Sequence, residues 1–293
     1  MRDAFADAIY DAAKADPRVC VVVADISPAG SMERFRADFP DRFVNVGVAE
    51  QVMIGVAAGM ALRGMRPFCY TIAPFALFRP LEFIRCDLAY QRLPVVVVGM
   101  GAGLSYGALG PTHHATEDVE VACAVPELAV VAPCDPPDVR AAVRWCLRQS
   151  GPVYVRLGKA GEPDLPNAAA PFEDLRWLRG SCESSRVVLA YGPLAYWALK
   201  NPSWSVAVLR VLAPLIKEPV VELLDRSGSI VVLEEASGAP LYRTLLTIRN
   251  EVLLERGARG VRSVVCGIGS VSLPREFVRR VGSREELLEE YLR

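Results

Sequence analysis

The sequence lacks an excess of charge of either sign and any long apolar run. Its 33 basic and 34 acidic residues leave a formal net charge of -1, so nothing favours nucleic acid or anionic lipid as a partner. No uninterrupted apolar stretch approaches the roughly 18 residues of a membrane span. Because 52% of the 293 residues are nevertheless hydrophobic, we expect an apolar surface that meets another protein chain, with no nucleic-acid partner and no membrane.

Signals for secretion, disulfide bonds and bound zinc are missing as well. The first 15 residues carry three aspartates, whereas a signal peptide needs a basic start followed by an apolar stretch. The eight cysteines are scattered among mostly apolar neighbours without a CxxC pair, which predicts buried, reduced thiols. We therefore expect a cytoplasmic protein with no metal site of its own.

Common phosphate-binding signatures are also absent. The chain has no GxGxxG motif and no Walker A loop, and none of its 22 glycines is followed by aspartate. A phosphate cradle is therefore not expected within this chain.

Short β-branched, apolar segments alternate with helical patterns, which predicts an α/β fold of two doubly wound domains. The first domain spans residues 1–161, a proline-rich linker covers 162–174, and a smaller domain occupies 175–293. The predicted strands are 19–24, 43–46, 67–70, 94–99, 128–131, 153–156, 186–190, 205–209, 229–233 and 262–266. The predicted helices are 31–39, 49–63, 75–90, 136–149, 219–225, 240–254 and 283–292.

The predicted helix 49–63 is rich in small residues, including Gly55 and Gly59. A glycine inside a helix costs roughly 1 kcal/mol relative to alanine, so a close approach of two backbones must offset that cost. Two interpretations stay open: burial in the domain core, or a contact between subunits.

A few polar and aromatic side chains are candidates for chemistry. His113 and His114 end a glycine-rich loop after a predicted strand, where open α/β sheets bind ligands, and this favours a functional role for His113 more than for His114. Glu50 lies in the first turn of a predicted helix and either complements the helix dipole or, if buried without a cationic neighbour, is ready to hold a proton. Phe75 and Phe78 share a helix face and either pack in the core or stack on a planar ring.

Four motifs occur in a characteristic order: ADISP at 24–28, NVGVAEQ at 45–51, PFALF at 74–78 and GPTHHATED at 110–118. Together they resemble the C-terminal half of transketolases, and the resemblance covers nearly the whole chain. A similar pattern occurs in deoxyxylulose-phosphate synthases and, more loosely, in the β subunits of 2-oxo acid dehydrogenase E1 components. The resemblance implies a pyrimidine-binding domain followed by a transketolase C-terminal domain, and dependence on thiamine diphosphate.

The resemblance places a cofactor site in the first domain. Glu50 matches the glutamate that hydrogen-bonds the aminopyrimidine ring, where a carboxyl donating to the ring nitrogen favours the imino tautomer. Phe75 and Phe78 match the aromatic pair that packs on this ring. Asp25 and Ile26 match an Asp-Leu pair that faces the cofactor, and Ile26 is expected to help hold the bent shape of the cofactor.

The resemblance also implies substrate contacts. His113 matches the histidine of the GPTH motif, which contacts the reacting oxygens and can donate a hydrogen bond or shuttle a proton. Arg2 and Arg156 match two arginines that grip a sugar phosphate, with an ordinary surface ion pair as the alternative for each.

Three departures from the family pattern concern substrate recognition. Transketolases carry a histidine, an aspartate and a serine that recognise the hydroxyls and phosphate of the sugar, and this chain has Gly101, Leu109 and Ala29 at those places. The small-molecule carbonyl substrate therefore need not be one of the usual pentose phosphates, and it need not be phosphorylated.

A transketolase binds Mg2+ and the diphosphate through a Gly-Asp-Gly motif in its N-terminal half, and this sequence has no Gly-Asp. The resemblance therefore implies a split enzyme, in which an N-terminal transketolase-like partner subunit carries that motif and binds most of the magnesium. An α2β2 heterotetramer is expected, with each active site between chains. Obligate interfaces are large and hydrophobic, in agreement with the apolar surplus.

The implied activity is that of a transketolase-like transferase, active only with its partner. It would move a two-carbon ketol unit, or an acyl unit, between carbonyl or sugar substrates. Two alternatives stay open: the β subunit of a 2-oxo acid dehydrogenase E1-type decarboxylase, and a non-catalytic paralogue subunit. Glu234 and Glu235, which follow an apolar strand, are interpreted as structural residues of the family and not as catalysts.

Overall fold

Helices and strands alternate along the chain in a computed structural model that describes residues 1–25, 32–258 and 266–292. The helices are α1 (Arg2–Ala15), α2 (Glu33–Asp38), α3 (Glu50–Leu62), α4 (Ala73–Leu77), α5 (Leu81–Phe83), α6 (Asp118–Cys123), α7 (Pro136–Cys146), α8 (Leu194–Leu199), α9 (Lys217–Arg226), α10 (Pro240–Ala258) and α11 (Arg284–Tyr291). The strands are β1 (Val19–Val23), β2 (Phe43–Asn45), β3 (Arg66–Ile72), β4 (Val96–Met100), β5 (Ala129–Val131), β6 (Val153–Leu157), β7 (Arg176–Arg179), β8 (Val187–Ala190), β9 (Ser205–Val208), β10 (Val211–Ala213), β11 (Ser229–Ser237) and β12 (Gly267–Leu273). None of the described helices is long and apolar enough to cross a bilayer.

The first sheet has seven strands in the order β10-β5-β6-β4-β3-β1-β2, all parallel except β10. Its strands β1 and β4 are buried at every position. In β1, Val22 enters one apolar cluster, whereas Val21 and Val23 enter another on the opposite face. Valine-rich strands suit this arrangement because both faces of a parallel sheet are covered.

The edge strand β10 is one that the sequence did not predict. It follows the linker in the chain, yet it pairs antiparallel with β5, with Val211 opposite Val131 and Ala213 opposite Val130. A strand of three residues is too short to show a period, so the pattern carried no signal. The two halves of the chain therefore share the edge of one sheet.

The second sheet has five strands in the order β12-β11-β8-β9-β7, parallel except for β7. Two mostly parallel sheets flanked by helices confirm the predicted α/β class, whereas the exact domain boundaries stay predictions. The predicted strand 262–266 falls outside the described residues except for Cys266. The strand that pairs with β11 is β12, whose glycines and serines weaken the β signal.

The predicted helix 75–90 is wrong as a single element. The segment forms α4, α5 and a π-helical turn over 84–89. Pro80 separates α4 from α5, because proline has no N–H to donate and its ring clashes with the preceding turn. The break brings Arg79 next to α3, where the Gln51 side chain donates a hydrogen bond to the Arg79 carbonyl at 3.3 Å.

Two buried aspartates at the start of α7 tie the halves of the chain together. Asp135 caps the helix by accepting from the Asp138 N–H at 2.8 Å, and its carboxylate also binds Arg176 of β7 at 2.8 and 3.1 Å. Arg176 and Arg210 reach the Asp138 carboxylate at 2.9 and 3.2 Å. Burial raises the pKa of Asp138, and the two arginines oppose that effect. The network joins β7 and β10 to the first sheet.

All eight cysteines are unpaired, and five of them are buried. Burial raises the pKa of Cys20 to about 12, which keeps such a thiol protonated and unreactive. Cys86 and Cys182 are only half-buried and Cys123 is exposed, so the predicted burial is wrong for these three.

Arg176→Met should destabilise the fold by about 3–5 kcal/mol, because it leaves two carboxylates buried with less compensating charge. The control Arg256→Met removes a partly exposed ion pair with Asp225 and should cost much less. Urea unfolding followed by circular dichroism measures both losses. A loss below about 1 kcal/mol for Arg176→Met would contradict a structural role for the network.

Candidate active site

Four segments of the chain meet at the carboxyl edge of the first sheet. Strands β2, β1, β3 and β4 are parallel neighbours, so the segments that follow them emerge at the same edge. These segments carry Asp25 after β1, Glu50 after β2, Phe75 after β3 and His113 after β4. Open α/β sheets bind their ligands at this edge, so the fold gathers four predicted site residues where a ligand is expected.

Glu50 begins α3, and only 3% of its surface is exposed. Its Oε1 accepts a hydrogen bond from Arg79 Nη1 at 2.6 Å. The expected absence of a cationic neighbour is therefore wrong, because the break at Pro80 brings Arg79 back to α3. Glu50 Oε2 has no hydrogen-bond partner among the residues described, which leaves one carboxylate oxygen for another donor.

Phe75 lies between Arg79 and His113. Its ring is 4.0 Å from the Arg79 guanidinium and 5.3 Å from the His113 ring, which approaches edge-on. Phe78 is half-buried and packs against the hydrophobic core. Phe75 therefore belongs to the site by contact, whereas a cofactor contact of Phe78 stays a prediction.

His113 is half-buried in the histidine loop, which comprises residues 101–117. Its Nδ1 lies 3.0 Å from the Thr112 hydroxyl, and its ring contacts Phe75 and, at 6.1 Å, Tyr106. Because Nδ1 is engaged, Nε2 is the ring nitrogen that is left to meet a ligand.

Tyr106 is a site residue that the sequence patterns did not reveal. Its ring takes the space over Gly101, where an added Cβ would overlap it, and Gly101 has a φ of +74°. Lys159 Nζ lies 4.6 Å from the same ring. Burial raises the pKa of Tyr106, and the nearby charge of Arg2 opposes that effect. An aromatic residue that folds back over a loop glycine has no periodic signature, so only the structure shows it.

His114 lies inside the fold, with 5% of its surface exposed. Neither of its ring nitrogens makes a well-formed hydrogen bond. Burial lowers the pKa of His114, although Glu117, the Gly107 carbonyl and Glu235 oppose that effect. The buried imidazole is therefore neutral at pH 7, whereas His113 contacts Phe75 at the sheet edge.

Asp25 directly follows β1, with an exposed side chain and a left-handed backbone at φ 57°. Residues other than glycine adopt this conformation rarely, and such strain concentrates at functional sites. Ile26 and Ala29 lie outside the described residues, so their places at the site stay predictions.

The structure separates the two predicted phosphate-binding arginines. Arg156 is 1% exposed, with its Nε 3.0 Å from both carboxylate oxygens of Asp118 and its Nη2 donating to the Glu235 carbonyl at 2.9 Å. A guanidinium buried and engaged in this way cannot reach a phosphate at the surface, which contradicts the predicted role of Arg156. Arg2 pairs with Asp3 at 3.4 Å and stays a predicted substrate contact.

Residues 103–107 read Gly-Leu-Ser-Tyr-Gly, the spacing of a hydrolase nucleophile elbow. The structure does not support that interpretation. Ser105 lies in the histidine loop and not at a strand-to-helix turn, and its hydroxyl donates to the Ala102 carbonyl at 2.7 Å. No histidine of the chain accepts a hydrogen bond from it, so a base to activate this hydroxyl is missing.

Helix α3 has one face in the core and one face uncovered. Ile54 and Ala57 are buried on the inner face. Val52 is 53% exposed and Leu62 is 65% exposed on the outer face, where a Cβ added at Gly59 would meet no atom within 4 Å. Core burial therefore does not explain the small residues of this face, and the interpretation as a contact between subunits is the one that fits.

Comparison with known proteins agrees with this site. Residues 1–161 match the transketolase pyrimidine-binding domain family. One of the subunits of the apulose-4-phosphate transketolase of Phocaeicola vulgatus is 30% identical over 262 residues, which are 83% of either chain. The 6-deoxy-6-sulfo-D-fructose transketolase subunit SqwH of a Clostridium species is 33% identical over 245 residues, 81% of this chain and 76% of that one.

Among solved structures, a split gene transketolase described as an inactive β4 tetramer superposes with a TM-score of 0.83 at 28% identity. The superposition covers 99% of this chain and 92% of that chain. The chain belongs to the transketolase family, as the C-terminal subunit of a split transketolase-like enzyme. The family confirms the predicted class of transferase, and it implies dependence on thiamine diphosphate.

Gly101→Ala should destabilise the protein by about 2–3 kcal/mol, because the methyl group meets the Tyr106 ring in an already left-handed conformation. The control Gly161→Ala has a φ of +88° but open space around the added Cβ, so only the conformational cost of about 1 kcal/mol is expected. Urea midpoints compare the two variants, and Tyr106→Ala should recover part of the difference. Equal losses at both glycines would mean that Tyr106 does not constrain the loop.

Proposed function

We propose that this chain supplies the aminopyrimidine side of a thiamine-diphosphate site and part of the substrate site in a ketol- or acyl-transferring enzyme. The observation that carries the proposal is the grouping of Glu50, Phe75 and His113 at one sheet edge. A buried carboxylate with a free oxygen beside a half-buried aromatic ring suits a planar heterocycle that carries a ring nitrogen.

Glu50 would meet the pyrimidine nitrogen of the cofactor. When bound, thiamine diphosphate supplies the carbon nucleophile that adds to a carbonyl group. Glu50 holds the proton that it shares with the ring, and Arg79, whose side chain is 43% exposed, can move toward solvent as the ring enters. Phe75 and Phe78 pack against the ring, and Asp25 and Ile26 line its approach from the end of β1.

His113 would meet the reacting oxygens of the substrate. With Nδ1 held by the Thr112 hydroxyl, Nε2 can donate a hydrogen bond to an oxygen or pass a proton to it. The neighbouring rings of Phe75 and Tyr106 limit how far the imidazole can turn. This restriction keeps the donor aimed at one position, which is the condition for stabilising developing charge.

The far end of the substrate would be recognised in a way that differs from the usual pentose phosphates. Arg156 is buried in an ion pair, and Tyr106 fills the space above Gly101. Arg2 and Lys159 remain as cations near Tyr106. Two relatives are named for a phosphorylated and a sulfonated sugar, so an anionic terminus fits the wider group without fixing which anion this enzyme binds.

A partner subunit would complete the site. The sequence has no Gly-Asp, so the diphosphate and Mg2+ are assigned to an N-terminal transketolase-like chain that carries Gly-Asp-Gly. The outer face of α3, which begins with Glu50, is the surface that this partner covers, and an α2β2 heterotetramer in the cytoplasm is the assembly that we favour. The inactive β4 tetramer of the split gene transketolase supports a chain that lacks activity with copies of itself alone.

Capture of the tagged chain from its native source, with mass spectrometry of the bound protein, tests the partner. The expected result is a chain with Gly-Asp-Gly, and the complex should bind thiamine diphosphate. Turnover of a ketose donor without release of carbon dioxide supports ketol transfer, whereas carbon dioxide release from a 2-oxo acid would support the decarboxylase. A complex that never binds the cofactor would favour a non-catalytic subunit.

Glu50→Gln should lower turnover of that complex by about 10² to 10⁴, because the amide cannot share a proton with the ring nitrogen. Glu82→Gln, at an exposed position on the neighbouring α5, is the matched control and should keep full activity. Initial rates at saturating cofactor measure both variants. A fully active Glu50→Gln or Glu50→Ala complex would refute the cofactor assignment.

Val52→Asp should weaken binding of the partner by about tenfold or more, since it places a charge on the apolar outer face of α3. Leu254→Asp, at an exposed apolar position on α10, is the control and should leave binding unchanged. Analytical ultracentrifugation of the mixed subunits reports the assembly of each variant. Loss of binding in the α10 variant alone would place the interface elsewhere.

A further inference from the structure

The histidine loop has few internal contacts to fix its shape. Gly103 and Gly110 have positive φ angles, and a short 3-10 turn covers only residues 107–109. A single β-bridge, between Gly103 and Ala115, closes the loop on itself. A glycine-rich loop of this kind has many accessible conformations, so the position of His113 depends on contacts from outside the loop.

Glu235 of β11 supplies one of these contacts. It is 2% exposed, and its Oε1 accepts a hydrogen bond from the Leu104 N–H at 2.8 Å. A Cβ added at Gly103 would lie 2.6 Å from the Glu235 carboxylate, so the loop backbone lies directly against this side chain. The loop can approach so closely only because residue 103 is glycine.

Arg284 of α11 holds that carboxylate in place. Its Nε donates to Glu235 Oε1 at 2.9 Å, and its Nη2 donates to Oε2. Burial alone would raise the pKa of Glu235, but Arg284 outweighs that effect and the pKa is lowered. Glu235 is therefore ionised at pH 7, and a bidentate pair fixes the direction in which its oxygens point.

The other arm of the loop is held from the same side. The Ser237 N–H donates to the Thr116 carbonyl at 2.7 Å. Arg156 links the Glu235 carbonyl to Asp118, the residue that directly follows the loop, at 2.9 and 3.0 Å. The second half of the chain thus grips both arms of the loop while His113 faces the first.

We propose that Glu235 and Arg284 are positioning residues, which hold the histidine loop in the shape that presents His113 to the substrate. This inference rests on the proposed function for its catalytic consequence. It assigns to the second domain a direct part in the geometry of the active site. The pair touches neither substrate nor cofactor and acts through the loop backbone at Leu104.

Arg284→Lys and Glu235→Gln in the complete complex test the catalytic consequence. We expect each to lower kcat by about 10- to 100-fold, because small displacements of a catalytic group are costly, while the affinity for thiamine diphosphate changes by less than about twofold. Neither change should lower kcat further once His113 is alanine, because the pair acts through that residue. Additive losses in the double variants would overturn the proposal.

Arg176→Lys provides the matched control, since it alters a buried bidentate ion pair that lies away from the loop. It should lower stability as much as Arg284→Lys does, yet leave kcat within about twofold. A fall in kcat that follows the loss of stability equally in both variants would mean that the Glu235 pair is merely structural.

Nuclear magnetic resonance of the full chain gives a readout that needs no activity. His113 and His114 are the only histidines, so 13Cε1-histidine labelling yields two imidazole signals. Arg284→Lys should shift or broaden the His113 signal, whereas Arg176→Lys should leave it in place. Unchanged signals in Arg284→Lys would overturn the positioning role even if the complex shows ketol transfer, and altered signals in an inactive complex would point to failure of the proposed function alone.

Discussion

A guanidinium sealed inside the protein, that of Arg156, joins the two halves of the chain at the edge where the site lies. It pairs with Asp118, which also accepts a hydrogen bond from the Tyr154 hydroxyl at 3.0 Å, and it donates to the backbone of β11. Burial raises the pKa of Asp118, and Arg156 opposes that effect. Removing charges from water is costly unless they are paired, so this arrangement is stable only when both sheets are in place. The histidine loop therefore takes its shape from the whole chain and not from the first domain alone.

Helix α3 connects the chemistry of the site to the assembly of the enzyme. Its first residue is the buried Glu50, and its outer face leaves Val52, Gly59 and Leu62 without cover in this chain. Exposed apolar surface of this kind marks an interface. Because the same helix carries the carboxylate and the uncovered stripe, a partner that covers the stripe also approaches the cofactor site. An enzyme divided between two chains in this way completes its site only on assembly.

Much of the fold followed from the sequence, because each of its signals is local. Valine-rich strands such as 19–23 and 96–100 and the amphipathic helix 136–146 repeat with the period of their elements, and the observed bounds agree to within a few residues. The errors have physical causes. Pro80 divides a continuous apolar pattern, β10 is too short to show a period, and the glycines of β12 weaken its strand signal.

The sequence by itself determined the family, the α/β class and the identity of Glu50, Phe75 and His113 as candidates, because residue type and order survive without knowledge of contacts. Only the tertiary structure decided how these residues are surrounded. It placed Arg79 on Glu50, Tyr106 over Gly101 and Arg156 in the interior, and it turned Glu235 from a strand residue into a support for the histidine loop. Each of these contacts joins residues far apart in the chain or folds a loop on itself, and burial and charge pairing at such places depend on packing that no local pattern encodes.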